Sequence, residues 1–425
     1  MLSTAEFWKT EAAPPSLPLF NKNLGFALSI EDGAKALETF GQKWAKAFPT
    51  APGTESKDGE VSDVSEAPEL GDAGPQVDEN EDEHLRIFRR DAERTFKLKL
   101  NQDQQISVLS HYVKTYGDYH QGLSFVVSAI MLVADGSTEG KEPLVTKKQL
   151  ALARRIATAL AEDKEKYAMI EAWKAEAVIS AVDGYVLMEI LKKHRPQLSS
   201  QLERNGILPE IWFQRIRCGL CVHVLPLVAL FPFLDHFFTY GQPFLRKFTL
   251  ALLALLETRI AKAGNNTSRI LEIIHLDLEV MGLSKAELVD PASAKTKIAE
   301  FTDLCLSAVN SAAASCASSS AKTGGSEIAA AHEAASAGES RSNTTTSPSA
   351  DLVEILSAVD AIDWAVESTR QYDLRLRARM ERAKAQAATK EESDEEDEDD
   401  EDELSDDSET EEERLARLMG GVTLK

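Results

Sequence analysis

The chain has 425 residues, 47 basic and 70 acidic, and a formal charge of −23. That charge is concentrated: Glu391 to Glu413 holds 18 acidic residues and no basic one, Glu55 to Glu83 holds 12 acidic residues against Lys57 alone, and the remainder carries +6. A mildly basic body between two solvated acidic segments excludes a uniformly acidic protein that repels anionic partners, and four cysteines in this length exclude a disulfide framework and fit a reducing compartment.

Met1 to Lys22 carries Glu6, Glu11 and three prolines, so it lacks the basic-then-apolar layout of a signal peptide. Residues 24–50 read as an N-terminal helical segment: Leu37, Phe40, Trp44 and Phe48 fall at helical spacing and Pro49 ends it. Residues 51–83, rich in Pro, Gly, Ser and acids, read as a disordered acidic insertion. Order is expected to resume at His84, with Asp82 and Glu83 at the positive end of the helix that begins there.

Leu123 to Ala134 reads as a short apolar helix, Gly136 to Pro143 as a loop, and Lys147 to Lys192 as two helices with a turn near Asp183-Gly184. Gly206 to Pro209 marks another turn. Trp212 to Phe238 and Phe244 to Lys262 read as apolar helices joined at Tyr240-Gly241-Gln242-Pro243. The longest apolar run, Cys218 to Leu234, is interrupted by His223, Pro226 and Pro232 and reads as buried core rather than a membrane span, which needs roughly 20 apolar residues. After the Asn265-Asn266 loop, Ser268 to Met281 and Ala294 to Val309 are further expected helices. No stretch alternates with period two and no internal repeat is visible, so the body is expected to be all-α.

Residues 311–350 are Ala/Ser/Thr-rich and read as a low-complexity linker. Residues 351–390 read as an amphipathic helix carrying Leu352, Ile355, Leu356, Val359 and Ile362, able to fold back on the body or seek a partner helix. Residues 391–425 read as an acidic disordered tail, with Leu415 and Leu418 beyond the charge run.

Two short strings carry chemistry. In Phe88-Arg89-Arg90-Asp91-Ala92-Glu93-Arg94-Thr95, Asp91 stands one helical turn before Arg94 and can brace its guanidinium with charge-assisted hydrogen bonds. Arg86, Arg89, Arg90, Lys97 and Lys99 surround the pair with positive charge. In Tyr119-His120-Gln121-Gly122, a turn begun at Tyr116-Gly117-Asp118 presents Gln121 at the entry to the apolar helix, and Gly122 lets a partner's backbone approach. An arginine and a glutamine suit GTP hydrolysis, the first neutralising charge on the transferred phosphoryl group and the second orienting the attacking water.

The pair resembles the TBC domain of Rab GTPase-activating proteins, whose signatures read IxxDxxR and YxQG, with 27 positions here between Arg94 and Gln121. The resemblance runs roughly from His84 to Ser307 and includes Phe233-Leu234-Asp235-His236-Phe237-Phe238 with Gly241. It implies a two-lobed all-α TBC domain over residues 84–310, with Trp44 a remnant of the family's N-terminal pattern. It also implies Arg94 as arginine finger and Gln121 as glutamine finger, supported by Asp91, Thr95, Tyr119 and Gly122. The implied partner is a GTP-loaded Rab that carries the GTP and Mg²⁺, so the chain needs no cofactor and donates groups in trans rather than being an enzyme. The implied setting is cytoplasmic, peripheral to endomembranes. Departures are Phe88 where isoleucine is usual, Phe96-Lys97-Leu98 where a proline commonly follows, and Leu234 where the family has tryptophan.

Other sites carry less. Cys218-Gly219-Leu220-Cys221 has no second CxxC and reads as a buried structural pair on a helix. The eight histidines form no HExxH, and no GxxxxGK[ST] occurs, so neither a metal site nor a nucleotide site of its own is indicated, and no nucleic-acid partner. Two rival readings remain: a TBC scaffold that holds a Rab without stimulating it, and an acidic-tailed adaptor or chaperone.

Overall fold

The computed structural model describes residues 30–49, 83–96, 99–116, 122–131, 147–167, 169–174, 181–222, 224–284, 295–322 and 349–394. The acidic insertion to residue 82, the loop at 136–143 and the tail beyond Asp394 lie outside the described residues. All regular structure among the described residues is helical. The helices are α1 (Ile30–Ala47), α2 (Glu83–Thr95), α3 (Lys99–Tyr116), α4 (Leu123–Met131), α5 (Lys147–Glu162), α6 (Met169–Lys174), α7 (Val182–His194) and α8 (Pro196–Arg204). They continue as α9 (Pro209–Arg217), α10 (Leu227–Tyr240), α11 (Gln242–Ala263), α12 (Thr267–Ile274), α13 (Lys295–Lys322), α14 (Ala350–Asp360) and α15 (Trp364–Asp394).

Helix α11 shows why the chain folds around its middle. Its residues Phe244, Leu245, Phe248, Leu250, Leu252, Leu253, Leu256 and Ile260 are all buried, so the apolar character is not confined to one stripe. A helix apolar on several sides needs neighbours on several sides. Here α7, α8, α10, α12, α13 and α14 supply them. Gly241 and Gly264 bracket the helix with φ near +66° and +62°, and Pro243 starts its first turn. A second set of contacts joins α2, α3, α4, α5 and α6. Both groups belong to one compact unit that runs to Tyr372, and a single buried apolar cluster extends through them. This fits the expected all-α TBC architecture.

Two irregular segments stitch the groups together. In the turn after α5, the Lys166 carbonyl accepts from the Gln242 amide (2.9 Å) and Tyr167 donates its hydroxyl to the Phe238 carbonyl (2.8 Å). A Cβ on Gly241 would lie 2.1 Å from the Lys166 oxygen, so this corner requires glycine for space as well as for φ. The second segment, Cys218 to Pro226, bears directly on the candidate site and is described below.

Helix α1 joins the same core. Trp44 is fully buried with its ring edge-on to Phe238 at 4.9 Å, and Lys43 pairs with the buried Asp235 of α10 at 2.5 Å.

Several expectations need correction: the helix expected over Ser268 to Met281 ends at Ile274, and Lys147 to Lys192 holds α5, α6 and most of α7 rather than two helices. Asp183-Gly184 is not a turn but the first turn of α7. Asp183 is buried against Arg246 (2.9 Å), Arg217 (4.0 Å) and Ser368 (3.1 Å), and Gly184 is small because Pro209 and Phe213 of α9 press on it. The apolar run from Trp212 to Phe238 is broken at Cys218 to Pro226 into α9 and α10. Residues 311–322, expected as linker, instead continue α13 to Lys322, with Ala312, Ala313 and Cys316 buried against the body. Alanine has the highest helix propensity, and small side chains allow close helix packing, so low bulk did not mean low order here.

The expected single helix over 351–390 is two, α14 and α15, divided at Ala361 to Asp363. Ser349 caps α14 by accepting from the Leu352 amide (3.3 Å), and Leu352, Ile355, Leu356 and Val359 bury its apolar face against α7, α11 and α13. The ion pair of Asp360 with the fully buried Lys247 Nζ (2.8 Å) ties α14 to α11. Lys247 also donates to Ser319 at 3.0 Å, and with its apolar face buried α14 is integral to the body.

Candidate functional site

Helix α2 is short and strongly amphipathic. Phe88, Ala92 and Phe96 go into the core while Arg86, Arg90, Glu93 and Arg94 face out. Its packing against α3 and α4 fixes its rotation. Asp91 sits at the boundary, 5% exposed, and one of its carboxylate oxygens accepts from the Arg94 guanidinium. The Arg94 side chain is 67% exposed, and its Nε also donates to the Arg90 carbonyl at 3.2 Å. A long side chain open to solvent is thus tethered at two points and loses less rotamer freedom when a partner engages it.

Thr95 closes the helix. Its hydroxyl donates to the Asp91 carbonyl at 2.7 Å in a buried position, and Gln102 Nε2 donates to the Phe96 carbonyl at 2.7 Å. The Thr95 hydroxyl thus bonds back one turn within the helix, and Gln102 supplies a donor to the carbonyl just past its end. Of the basic residues around Arg94, Arg86, Arg90 and Lys99 are exposed, and Lys99 pairs with Asp103 at 3.2 Å.

Tyr119 and Gln121 lie outside the described residues, as does His120; the two ends of that segment do not. On the N-terminal side, Tyr116 ends α3, packs with its ring tilted against Tyr112 (4.5 Å between centroids) and donates its hydroxyl to Glu162 of α5 at 3.0 Å. Burial and that bond to Glu162 push the Tyr116 phenol up to about 12, so it remains a donor throughout the physiological range.

On the C-terminal side Gly122 is buried with φ +106°. A Cβ there would stand 2.7 Å from the Cys218 carbonyl oxygen. On the side a Cβ would occupy, the backbone that approaches Gly122 is the chain's own. The same Cys218 oxygen accepts from the Trp173 indole N–H at 3.0 Å. Just beyond, Gln105 of α3 donates to the Ser124 carbonyl at 3.1 Å, both residues buried.

Cys218 and Cys221 are buried free thiols, as are Cys305 and Cys316. They stand on a tight turn rather than a helix, with Leu220 at φ +41° and Cys221 at φ +60°. Non-glycine residues in the left-handed region store strain. Here that strain accompanies a carbonyl directed at Gly122. Trp173, Gln105 and the Cys218 carbonyl were not identified from sequence. A tryptophan donating to a main-chain oxygen 45 positions away leaves no local signature; only the unexplained Cys-Gly-Leu-Cys string and its apolar surroundings pointed there.

Among the described residues no cluster of His, Cys, Asp and Glu is arranged to hold a metal ion, and no helix is long and apolar enough to cross a membrane. The arrangement offers an exposed, braced guanidinium on a helix packed against α4, the helix that Gly122 introduces. No curated protein matches the sequence. Residues 66–261 match the family model described as the Rab-GTPase-TBC domain, a stretch that holds α2 to α10 and most of α11. The chain therefore carries a Rab-GTPase-TBC domain, with Asp91, Arg94, Gln121, Gly122, Trp173 and Cys218 inside it.

Proposed function

We propose that this chain accelerates GTP hydrolysis by a Rab-family GTPase, inserting Arg94 and Gln121 beside the γ-phosphate. One observation carries the reading: within the stretch matching the Rab-GTPase-TBC domain, Arg94 is exposed and held by the buried Asp91. In the GTP-bound complex the Arg94 guanidinium neutralises charge on the equatorial phosphoryl oxygens as the bond to the β-phosphate breaks. Gln121 aligns the water in line with that bond. A trans arginine of this kind supplies about 10³ to 10⁵ in rate. The partner brings GTP and Mg²⁺, so the chain acts as an activator rather than an enzyme and needs no cofactor of its own. Regulation of vesicle traffic from the cytoplasm, by recruitment to endomembranes, follows from a Rab substrate.

The test is phosphate release from a panel of GTP-loaded Rabs with the full-length chain added. Stimulation of one or a few members supports the reading and names the substrate. Tight, GTP-dependent binding without stimulated release would replace activation by scaffolding. Loss of function on deleting Glu391 to Lys425, with no effect of Arg94→Ala, would favour the acidic-tailed adaptor.

A further inference from the structure

We infer that the corner between α11 and α12 is a binding site for a compact, multiply phosphorylated headgroup of the inositol phosphate class. A cavity of about 500 Å³ opens there, within the size range of small-molecule sites. Arg259 and Lys262 of α11, Asn266 of the connecting loop and Arg269 of α12 line it, and Ile273 and Val280 add buried apolar side chains. The site uses no residue of α2 or α4 and does not depend on the Rab-activator reading.

Three cationic side chains around one cavity repel one another, and the fold does little to neutralise them. Glu257, the sole carboxylate of α11, is engaged with Arg195 at 3.1 Å. Among the described residues Arg259 and Lys262 have no ion pair. Arg269 has Glu272 at 3.7 Å, with both side chains nearly half exposed, an arrangement that contributes little. Nor do the cations cap α11. Of its last carbonyls, Ile260 accepts from the buried Gln201 amide (2.6 Å), Ala261 from the Gly264 N–H (3.2 Å) and Ala263 from the Asn266 N–H (3.2 Å). Arg269 stands in the first turn of α12, which holds no acidic residue and where the helix dipole disfavours a cation. An anion in the cavity offsets all three charges and is favoured by that same helix end.

The corner is also stiff. Gly264 turns the chain at φ +62°, and Gln201 bonds its carbonyl (3.0 Å) as well as that of Ile260. Asn266 caps α12 by accepting from the Arg269 amide (2.9 Å), and Thr267 donates to the Asn205 carbonyl (3.2 Å). A preformed site spends less on ordering when its ligand arrives. Arg259 and Lys262 are three positions apart on one face of α11, and Arg269 lines the same cavity from α12, so the set can engage more than one phosphoryl group, the guanidiniums in bidentate fashion. A single phosphate leaves most of the volume empty; the carbon ring of an inositol occupies it against Ile273 and Val280. In a chain of net charge −23, general attraction does not draw an anion, so binding has to come from this local geometry.

The test is calorimetric titration of the full-length chain with inositol trisphosphate at physiological salt, beside sedimentation with phosphatidylcholine vesicles that contain phosphatidylinositol bisphosphate or, at matched charge, phosphatidylserine. Saturable binding of the trisphosphate is expected, weakened about tenfold or more by Arg259→Gln or Arg269→Gln and unchanged by Lys192→Gln, which removes an exposed cation of α7 outside the cavity. Lys262→Gln, at an exposed position, serves if an arginine variant folds poorly. If the bisphosphate vesicles also bind, with the same sensitivity and in preference to phosphatidylserine, the headgroup is that of a membrane lipid; if they do not, the ligand is a soluble inositol phosphate. Absence of trisphosphate binding, or a loss shared equally by Lys192→Gln, overturns the inference, whatever the chain does to a Rab.

Discussion

Arg94 and Gln121 are 27 positions apart in sequence, yet the Arg94 helix and the described flanks of the Gln121 segment are held in opposite ways. Arg94 is braced within its own helix by Asp91 three residues earlier and the Arg90 carbonyl four residues earlier. The flanks are secured from a distance: Tyr116 by Glu162, Gly122 by Cys218, Cys218 by Trp173, and Ser124 by Gln105. A guanidinium that neutralises charge tolerates some latitude, since Coulomb attraction changes gently with distance. Aiming a water, the role proposed for Gln121, leaves less, and local bracing suits the first task.

The sharpest way to break the comparison is to remove the two proposed fingers themselves. Arg94→Ala is expected to cut stimulated hydrolysis by about 10³ or more while leaving the melting temperature unaltered, because the side chain is largely solvent-exposed. Both quantities come from one preparation, by phosphate release and a thermal melt.

Substitution of the anchoring glycine should act on rate and stability together. Gly122→Ala places a methyl where only 2.7 Å separates it from a main-chain oxygen, at a φ of +106°. A cost of about 1–3 kcal/mol in chemical denaturation is expected, with a clear drop in kcat. A fully stable and active variant would mean that the Cys218 turn does not set the position of the loop.

Next comes the local brace. Asp91→Asn keeps the shape and a weaker hydrogen bond but loses the charge. Activity is expected to fall about tenfold, less than for loss of Arg94 itself, because the bond to the Arg90 carbonyl remains. A fall as large as that of Arg94→Ala would show that the guanidinium works only when charge-paired.

The smallest effect concerns acid stability of the opposite helix group and should leave both fingers aside. Burial alone would raise the Asp183 carboxyl, but Arg217, Arg246 and the hydrogen bonds from Arg246 and Ser368 bring it below its ordinary value. A depressed folded pKa contributes stability that is complete above the unfolded value of about 3.9 and is lost as the pH falls through the folded one. Melting temperature is therefore expected to decline from about pH 4 downward, and Asp183→Asn to flatten that part of the curve. An unchanged slope would place the acid sensitivity elsewhere.

The same division between local and distant contacts decides what could be read in the sequence. The Asp91–Arg94 spacing, the helix over the Leu37 to Phe48 pattern, and the Gly241 corner are local signals, and each appears in the structure. Asp183-Gly184 has turn-forming residues, yet tertiary ion pairs and the pressure of Pro209 fold it as helix. Cys218 to Cys221 sits in an apolar run whose periodicity cannot separate a buried helix from a buried turn. Ser311 to Lys322 lacks bulk, and only its seat against α11 and α14 shows that small residues were what the site needed. Lys247 is lysine in the middle of an apolar helix, and Asp360, 113 positions later, is its explanation.

The most direct test of the central claim is single-turnover phosphate release from one responsive Rab, with the wild-type chain, Arg94→Ala and Gln121→Ala compared at saturating concentration. The account predicts strong stimulation by the wild type and a loss of orders of magnitude in each variant with the protein still folded. Stimulation by both variants equal to that of the wild type would contradict it.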